Sequence, residues 1–266
     1  GPPRDGDIAG WTYELSGHAE QHIRIDLEFG GHAHNLRLPD VLASICQLVQ
    51  HPSCVGVLLQ LECSPFSAAR FINNGGPKPI FTRTHPRGVP GSEDAAARAI
   101  AMLKAGIAIA RAARANASTR YVISEHPVSQ SKDSVYYSAG MEEHLDMHSM
   151  TEWFELEGEI PFHEVLTDQC RSGAPTRKAT SLKCTVEAYL PLQRVFGVLR
   201  CNHTSHDSTK LQGKDADGRF RTRASARYTP LWCERMARCL LAASGTALAG
   251  GADTAAATTS TEAATS

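Results

Sequence analysis

Residues 55–71 read VGVLLQLECSPFSAARF, an unbroken apolar run that stops at Glu62-Cys63 and passes into a polar loop carrying Pro65. A short continuous apolar run is the mark of a strand buried on both faces, as strands of a parallel sheet are. The surrounding sequence alternates in kind. Upstream, residues 39–49 place apolar side chains at 41, 42, 45, 48 and 49, one face of a helix, with Pro39 tolerated in its first turn. Before that, residues 22–28 (HIRIDLE) alternate apolar and polar and halt at Gly30-Gly31, which predicts a strand entering a turn. Downstream, prolines and glycines at 75–79 and 86–91 predict a long irregular loop. Ser92 is then the expected N-cap of a helix running to about residue 115, with Glu93 and Asp94 in its first turn. Residues 121–124 form a short strand ending at Glu125-His126-Pro127; residues 162–168 and 181–186 read as two later strands, and 224–243 as a final helix with Pro230 near its start.

This alternation predicts an α/β, Rossmann-like parallel sheet covered by helices on both faces. In such sheets ligands gather outside the carboxyl ends of the strands. Three polar clusters fall there: Glu28-Phe29-Gly30-Gly31, Glu62-Cys63-Ser64 and Glu125-His126-Pro127.

Composition narrows the function classes. The chain of 266 residues is 42% hydrophobic and 21% charged with a net charge of −1, so a nucleic-acid partner must be met by local basic patches. No apolar run approaches the length of a membrane span or signal segment, which predicts no membrane partner. The eight scattered cysteines suit reduced thiols in the nucleus or cytoplasm. The start at Gly1-Pro2-Pro3, without Met, reads as a cut from a larger polypeptide with an upstream domain. Residues 1–21 then form an N-terminal segment and 22–244 the folded domain. Residues 245–266, rich in Ala, Thr and Ser, are too poor in apolar side chains to fold.

Cys63 sits where a thiolate can act as nucleophile, and a carboxylate at Glu125 on the next strand can hold or donate a proton at a heterocycle. A second constellation is Cys201-Asn202-His203-Thr204-Ser205-His206. Cys201, His203 and His206 can meet one zinc ion, with Cys170 or Cys184 as fourth ligand. His32/His34 and His144/His148 are further pairs, the latter at helical i,i+4 spacing. Residues 171–178 and 210–227 are basic and loop-like, and the latter sets Arg219, Arg221, Arg223 and Arg227 beside Phe220 and Tyr228, a mixture that fits phosphate contact and base stacking.

The segment LLQLECSPFSAARF resembles the loop bearing the catalytic cysteine of cytosine-C5 DNA methyltransferases. ISEHP resembles their Glu-Asn-Val/Pro motif, and Asp168-Gln169-Cys170-Arg171-Ser172-Gly173 with Arg177-Lys178-Ala179-Thr180 resembles their later basic segment. The order of these motifs is similar to that in methylase-like domains of algal and protist mobile elements, over about residues 22–240. The resemblance implies a methyltransferase-type fold acting on DNA. It implies Cys63, Glu125 and Arg171 as catalytic residues working on a flipped cytosine. It further implies S-adenosylmethionine held by Asp26, Glu28 and Asp40, and DNA contacts from Ser67, Arg70, Arg177, Lys178, Arg221 and Arg223. Three positions depart from the family pattern: Glu62 stands where a proline precedes the cysteine, His126 replaces the Asn, and residues 1–21 contain no strand followed by a glycine loop. A carboxylate at Glu62 is expected to raise the thiol pKa of Cys63. A non-catalytic nucleic-acid-binding or assembly module and a metal-dependent nuclease using Asp26, Glu28, Glu62 and Glu125 therefore stand beside the methyltransferase reading.

Overall fold

A computed structural model of the chain describes residues 7–17, 22–25, 30–72, 76–206 and 228–248. Helices α1 (Ile8–Leu15) and α2 (Pro39–Val49) precede strand β1 (Gly56–Leu59). Then come α3 (Glu93–Arg114), β2 (Tyr121–Pro127), α4 (Thr151–Glu159), β3 (His163–Asp168), β4 (Ala179–Cys184), α5 (Val186–Val195) and α6 (Pro230–Ser244). The strands form one sheet in the order β1-β2-β4-β3.

The α/β class and the helical cover on both faces are observed; the parallel sheet is not. Only β1 and β2 run parallel, in the register Gly56↔Tyr121 to Leu59↔Ser124, whereas β4 runs antiparallel to both β2 and β3. The reason lies in the β3–β4 connection. Residues 169–178 hold a 3-10 turn (Gln169–Ser172) closed by Gly173 at φ 88°, and no helix that could carry the chain back across the sheet. A connection without a crossover helix returns the next strand antiparallel. The strand expected over residues 22–28 is also absent where it can be seen, since residues 22–25 form no strand and 26–29 lie outside the described residues.

Side-chain alternation along β1 and β2 splits the core in two. Val57, Leu59 and Val122 pack with Val49 of α2, Leu103, Ile107 and Ala110 of α3, and Trp153 and Leu156 of α4. Leu58, Tyr121 and Ile123 face the other way, onto Leu182, Ala188, Leu192, Trp232, Met236 and Leu240, with Ile8 and Trp11 of α1 packed alongside. The α3 ends carry Glu93 and Asp94 at the start and Arg111 and Arg114 at the finish, each sign matched to the helix dipole. Ser92 precedes that helix as expected but does not cap it. Its hydroxyl turns back to the carbonyls of Val89 (2.7 Å) and Ile80 (3.3 Å) to close the preceding loop.

Gly56 marks one tight approach. A Cβ there would lie 2.2 Å from the ring of Tyr121, its register partner on β2. The Gly56→Ala variant is therefore expected to lose about 2 kcal/mol in urea unfolding, because a rigid ring under the sheet cannot yield cheaply.

Candidate functional site: a buried carboxylate beside Cys63

Glu125 shares the parity of Tyr121 and Ile123 on β2, so its side chain points to the α6 face. It is only 4% exposed. The Tyr228 hydroxyl, just ahead of α6, donates to its Oε2, while Oε1 is buried with no hydrogen-bond partner. Thr229 fixes this approach: its Oγ1 donates to the Ser172 carbonyl and accepts from the Trp232 amide at 3.2 Å, capping α6. Tyr228 stacks on Trp232 at 4.1 Å between centroids, and the Lys178 ammonium lies 4.9 Å over its ring. Burial first, and then the Glu125 charge, raise the Tyr228 pKa well above the phenolic range, so the hydroxyl remains a donor.

Cys63 leads into a 3-10 turn (Ser64–Phe66) whose Pro65 and Phe66 are buried. Arg70 holds the loop by donating to the Ser64 carbonyl (2.6 Å), the Lys78 carbonyl (3.0 Å) and the Ser64 hydroxyl (3.3 Å). Burial is the main cause that pushes the Cys63 thiol up. Lys178 acts downward, and Glu125 and Glu62 act upward. The expected effect of Glu62 has the right sign but is the smaller cause. With its pKa raised from 9.0, the sulfur is a thiol at neutral pH.

The structure thus brings Cys63, Glu125 and Lys178 into one electrostatic neighbourhood, while Arg171, Arg177, Ser67 and Arg70 hold other partners. Arg171, within the 3-10 turn, donates to Asn202 Oδ1 at 2.5 Å; Lys178 is the cation whose charge reaches Cys63. Arg177 donates from Nε to buried Asp168 Oδ1 (2.9 Å) and lies over the Tyr136 ring. Asp168 also accepts from the Tyr136 hydroxyl (3.1 Å) and the Cys201 amide (2.8 Å). Ser67 caps a 3-10 turn by accepting from the Ala69 amide, and Arg70 is committed to its own loop. Arg221 and Arg223 lie outside the described residues, as do Asp26 and Glu28. Sequence reading placed Tyr228 as a base-stacking residue and missed its contact with Glu125.

On the opposite sheet face, β2 contributes Ser124 and His126 to a buried polar layer. Ser124 Oγ lies 3.0 Å from His148 Nε2, and Ser181 Oγ lies 3.4 Å from His148 Nδ1 while donating to Glu164 at 2.6 Å. His126 is fully buried against Phe66, with Nε2 unpartnered. His144 and His148 are not on a helix: His148 belongs to a 3-10 turn (Met147–Ser149) and His144 precedes it. His144 bridges the Phe66 carbonyl (3.0 Å) and the Gln130 amide (3.1 Å), so this pair has a packing role.

Two cofactor expectations meet different outcomes. Cys201, His203 and His206 do gather, with Cys170 as the fourth residue, in a group that could hold a metal ion. Cys184, the other candidate, is buried in the core beneath α5 and α6. Of the residues expected to hold S-adenosylmethionine, only Asp40 lies among the described residues. β1 is an edge strand, no strand is hydrogen-bonded to its outer side among the described residues, and Asp40 is exposed in the first turn of α2. Of the nuclease residues, Glu62 and Glu125 join no metal-ligating group among the described residues, and Asp26 and Glu28 lie outside them. No described helix is long and apolar enough to cross a membrane. The chain matches no family model, no curated protein and no solved structure.

Proposed function

We propose that this chain is a DNA-binding module of the cytosine-C5 methyltransferase type, which takes one extrahelical cytosine against Glu125 beside Cys63. The observation that carries this reading is the half-satisfied buried carboxylate. Glu125 gives one oxygen to Tyr228 and holds the other, Oε1, buried without a donor. A buried acceptor of this kind is costly unless a ligand or water completes it. Cytosine offers the complementary group, because its exocyclic N4 amine donates to a carboxylate.

Neighbouring residues support the same assignment. Lys178 supplies positive charge, Tyr228 and Trp232 supply stacked aromatic surface, and residues 207–227, with their run of arginines, lead directly into Tyr228. Backbone charge with stacking surface is what single nucleotides and single strands need. Cys63 in this reading is a packed thiol near Glu125, since burial keeps it protonated.

The test is a footprint on that thiol. Saturation with an oligonucleotide carrying one unpaired cytosine should slow alkylation of Cys63 by N-ethylmaleimide severalfold, measured peptide by peptide by mass spectrometry. Cys46, half-buried on α2, serves as internal reference. An unchanged Cys63 rate under saturating oligonucleotide would remove the proposal.

A further inference from the structure

The strongest unused cluster lies beyond the Glu125 site, where the turn after β3 meets the segment after α5. Cys170 sits in the 3-10 turn Gln169–Ser172, and Cys201, His203 and His206 follow α5. Their ligand atoms all lie within 4.8 Å of one another. Cys201 Sγ is 2.9 Å from His206 Nε2 and 3.4 Å from His203 Nδ1, and a Cys170–Cys201 side-chain contact completes the set. We infer that Cys170, Cys201, His203 and His206 form a structural zinc site.

Geometry and donor chemistry agree on this assignment. Zinc–sulfur and zinc–nitrogen bonds at tetrahedral angles place S and N about 3.5 Å apart and two sulfurs about 3.8 Å apart. The observed cluster is of that size, so small side-chain rotations seat an ion without moving backbone. Two thiolates and two imidazoles are a closed set of four protein ligands, which is the pattern of a structural rather than a catalytic centre. Soft sulfur donors select zinc over magnesium or calcium.

The site is also held in place before any ion arrives. The Asp168 amide donates to the Leu199 carbonyl (2.9 Å), the Cys201 amide donates to Asp168 Oδ2 (2.8 Å), and Arg171 donates to Asn202 (2.5 Å). These bonds lay the 199–202 segment along the turn bearing Cys170. Their carboxylate anchor, Asp168, is fully buried. His203 is exposed and His206 half-buried, and both border a surface depression shared with Cys170, Gly173 and Pro175, which gives an ion its entry path. The metal would tie the chain down at His206, where residues 207–227 begin; their other end, Tyr228, is the partner of Glu125.

The experiment is anaerobic titration of the reduced, metal-stripped chain with Co²⁺, followed by displacement with Zn²⁺. The expected result is about one equivalent bound with the intense d–d and thiolate charge-transfer bands of a tetrahedral S/N site. Zinc should then bleach those bands. Cys201→Ser and the exposed-residue variant His203→Asn should each weaken affinity at least about tenfold, while Cys46→Ser leaves it unchanged. The His203→Asn arm guards against a fold defect, because that side chain is solvent-facing. Weak octahedral bands, or bands of equal strength in wild type and Cys201→Ser, would overturn the assignment.

Discussion

Replacing Glu125 with Gln should abolish the preference for an extrahelical cytosine, at a cost of about ten- to a hundredfold in relative affinity. The substitution keeps shape and leaves an amide oxygen for the Tyr228 hydroxyl. It places an N–H₂ donor where Oε1 lies buried without a partner. A donor there faces the N4 amine of cytosine with the wrong polarity and suits the O4 carbonyl of uracil or thymine. The preference should therefore reverse rather than merely fade. Competition between two oligonucleotides that differ only in the unpaired base measures this directly. Loss of all binding, equal for both bases, would point to a folding defect, which the urea midpoint would reveal.

Tyr228→Phe probes the same carboxylate from the other side. Removing the hydroxyl leaves both Glu125 oxygens without a donor, so the fold should lose about 1–3 kcal/mol. The vacated acceptor is then open to a base, and the affinity for unpaired cytosine should rise severalfold. Opposite signs in the melting temperature and the binding titration are the expected signature.

Acid should unfold the chain through its buried histidines. Burial is the main cause that lowers His126 to about 4, with Asp146 acting upward and Lys178 and His144 downward. His148 is lowered as well, by burial and then by the His126 and Lys183 charges. In the unfolded chain a histidine titrates near about 6.5. Between those values the unfolded state binds more protons, so stability is complete above about pH 6.5 and falls as pH drops toward 4. His126 alone accounts for about 2 kcal/mol by pH 5 and about 3 kcal/mol in full. Urea midpoints taken from pH 7.5 down to 5, above the range where most carboxylates titrate, should fall steadily. His126→Asn should flatten that slope even if it lowers stability at every pH. A midpoint that is level from 7.5 to 5 in the wild type would contradict the buried-neutral assignment.

Much of the framework was legible in local pattern. The apolar run at 55–61 and the Tyr121 strand are β1 and β2, and the residue 39–49 helix is α2 at its full extent. Periodicity reports burial, and in α2 Leu42, Ile45 and Val49 pack on the core while Leu48, on the same predicted face, stays exposed. Direction is a different matter. The apolar composition of 162–168 and 181–186 fits a strand running either way, and only the short connection through Gly173 decides for antiparallel. Residues 22–25 alternate cleanly yet form no strand. Helix α5 was hidden by Pro191 in its interior and by its start directly after β4. Thr185 between them accepts from the Val122 amide at 3.2 Å and so binds the junction to the sheet.

The site divides in the same way. Cys63 was visible because it follows a core strand and Glu125 because it was expected to end one; β2 in fact runs on to Pro127, with Glu125 inside it opposite Leu182. Tyr228 was not visible as the Glu125 partner, since the contact spans 103 positions and no local rule couples the two residues. The Cys201-x-His203-x-x-His206 spacing announced a ligand set, but the choice of Cys170 over Cys184 needed the turn after β3 to be placed beside α5's exit. Arg171 followed from resemblance alone; its guanidinium donates to Asn202, and Lys178 is the cation that acts downward on the Cys63 pKa.

The most direct test of the account is the wild-type dissociation constant for a duplex bearing one unpaired cytosine, compared with the same duplex bearing uracil or an abasic site there. Recognition through the free oxygen of Glu125 predicts cytosine binding tighter than either by about tenfold or more at fixed salt. Equal constants for the three duplexes would contradict it.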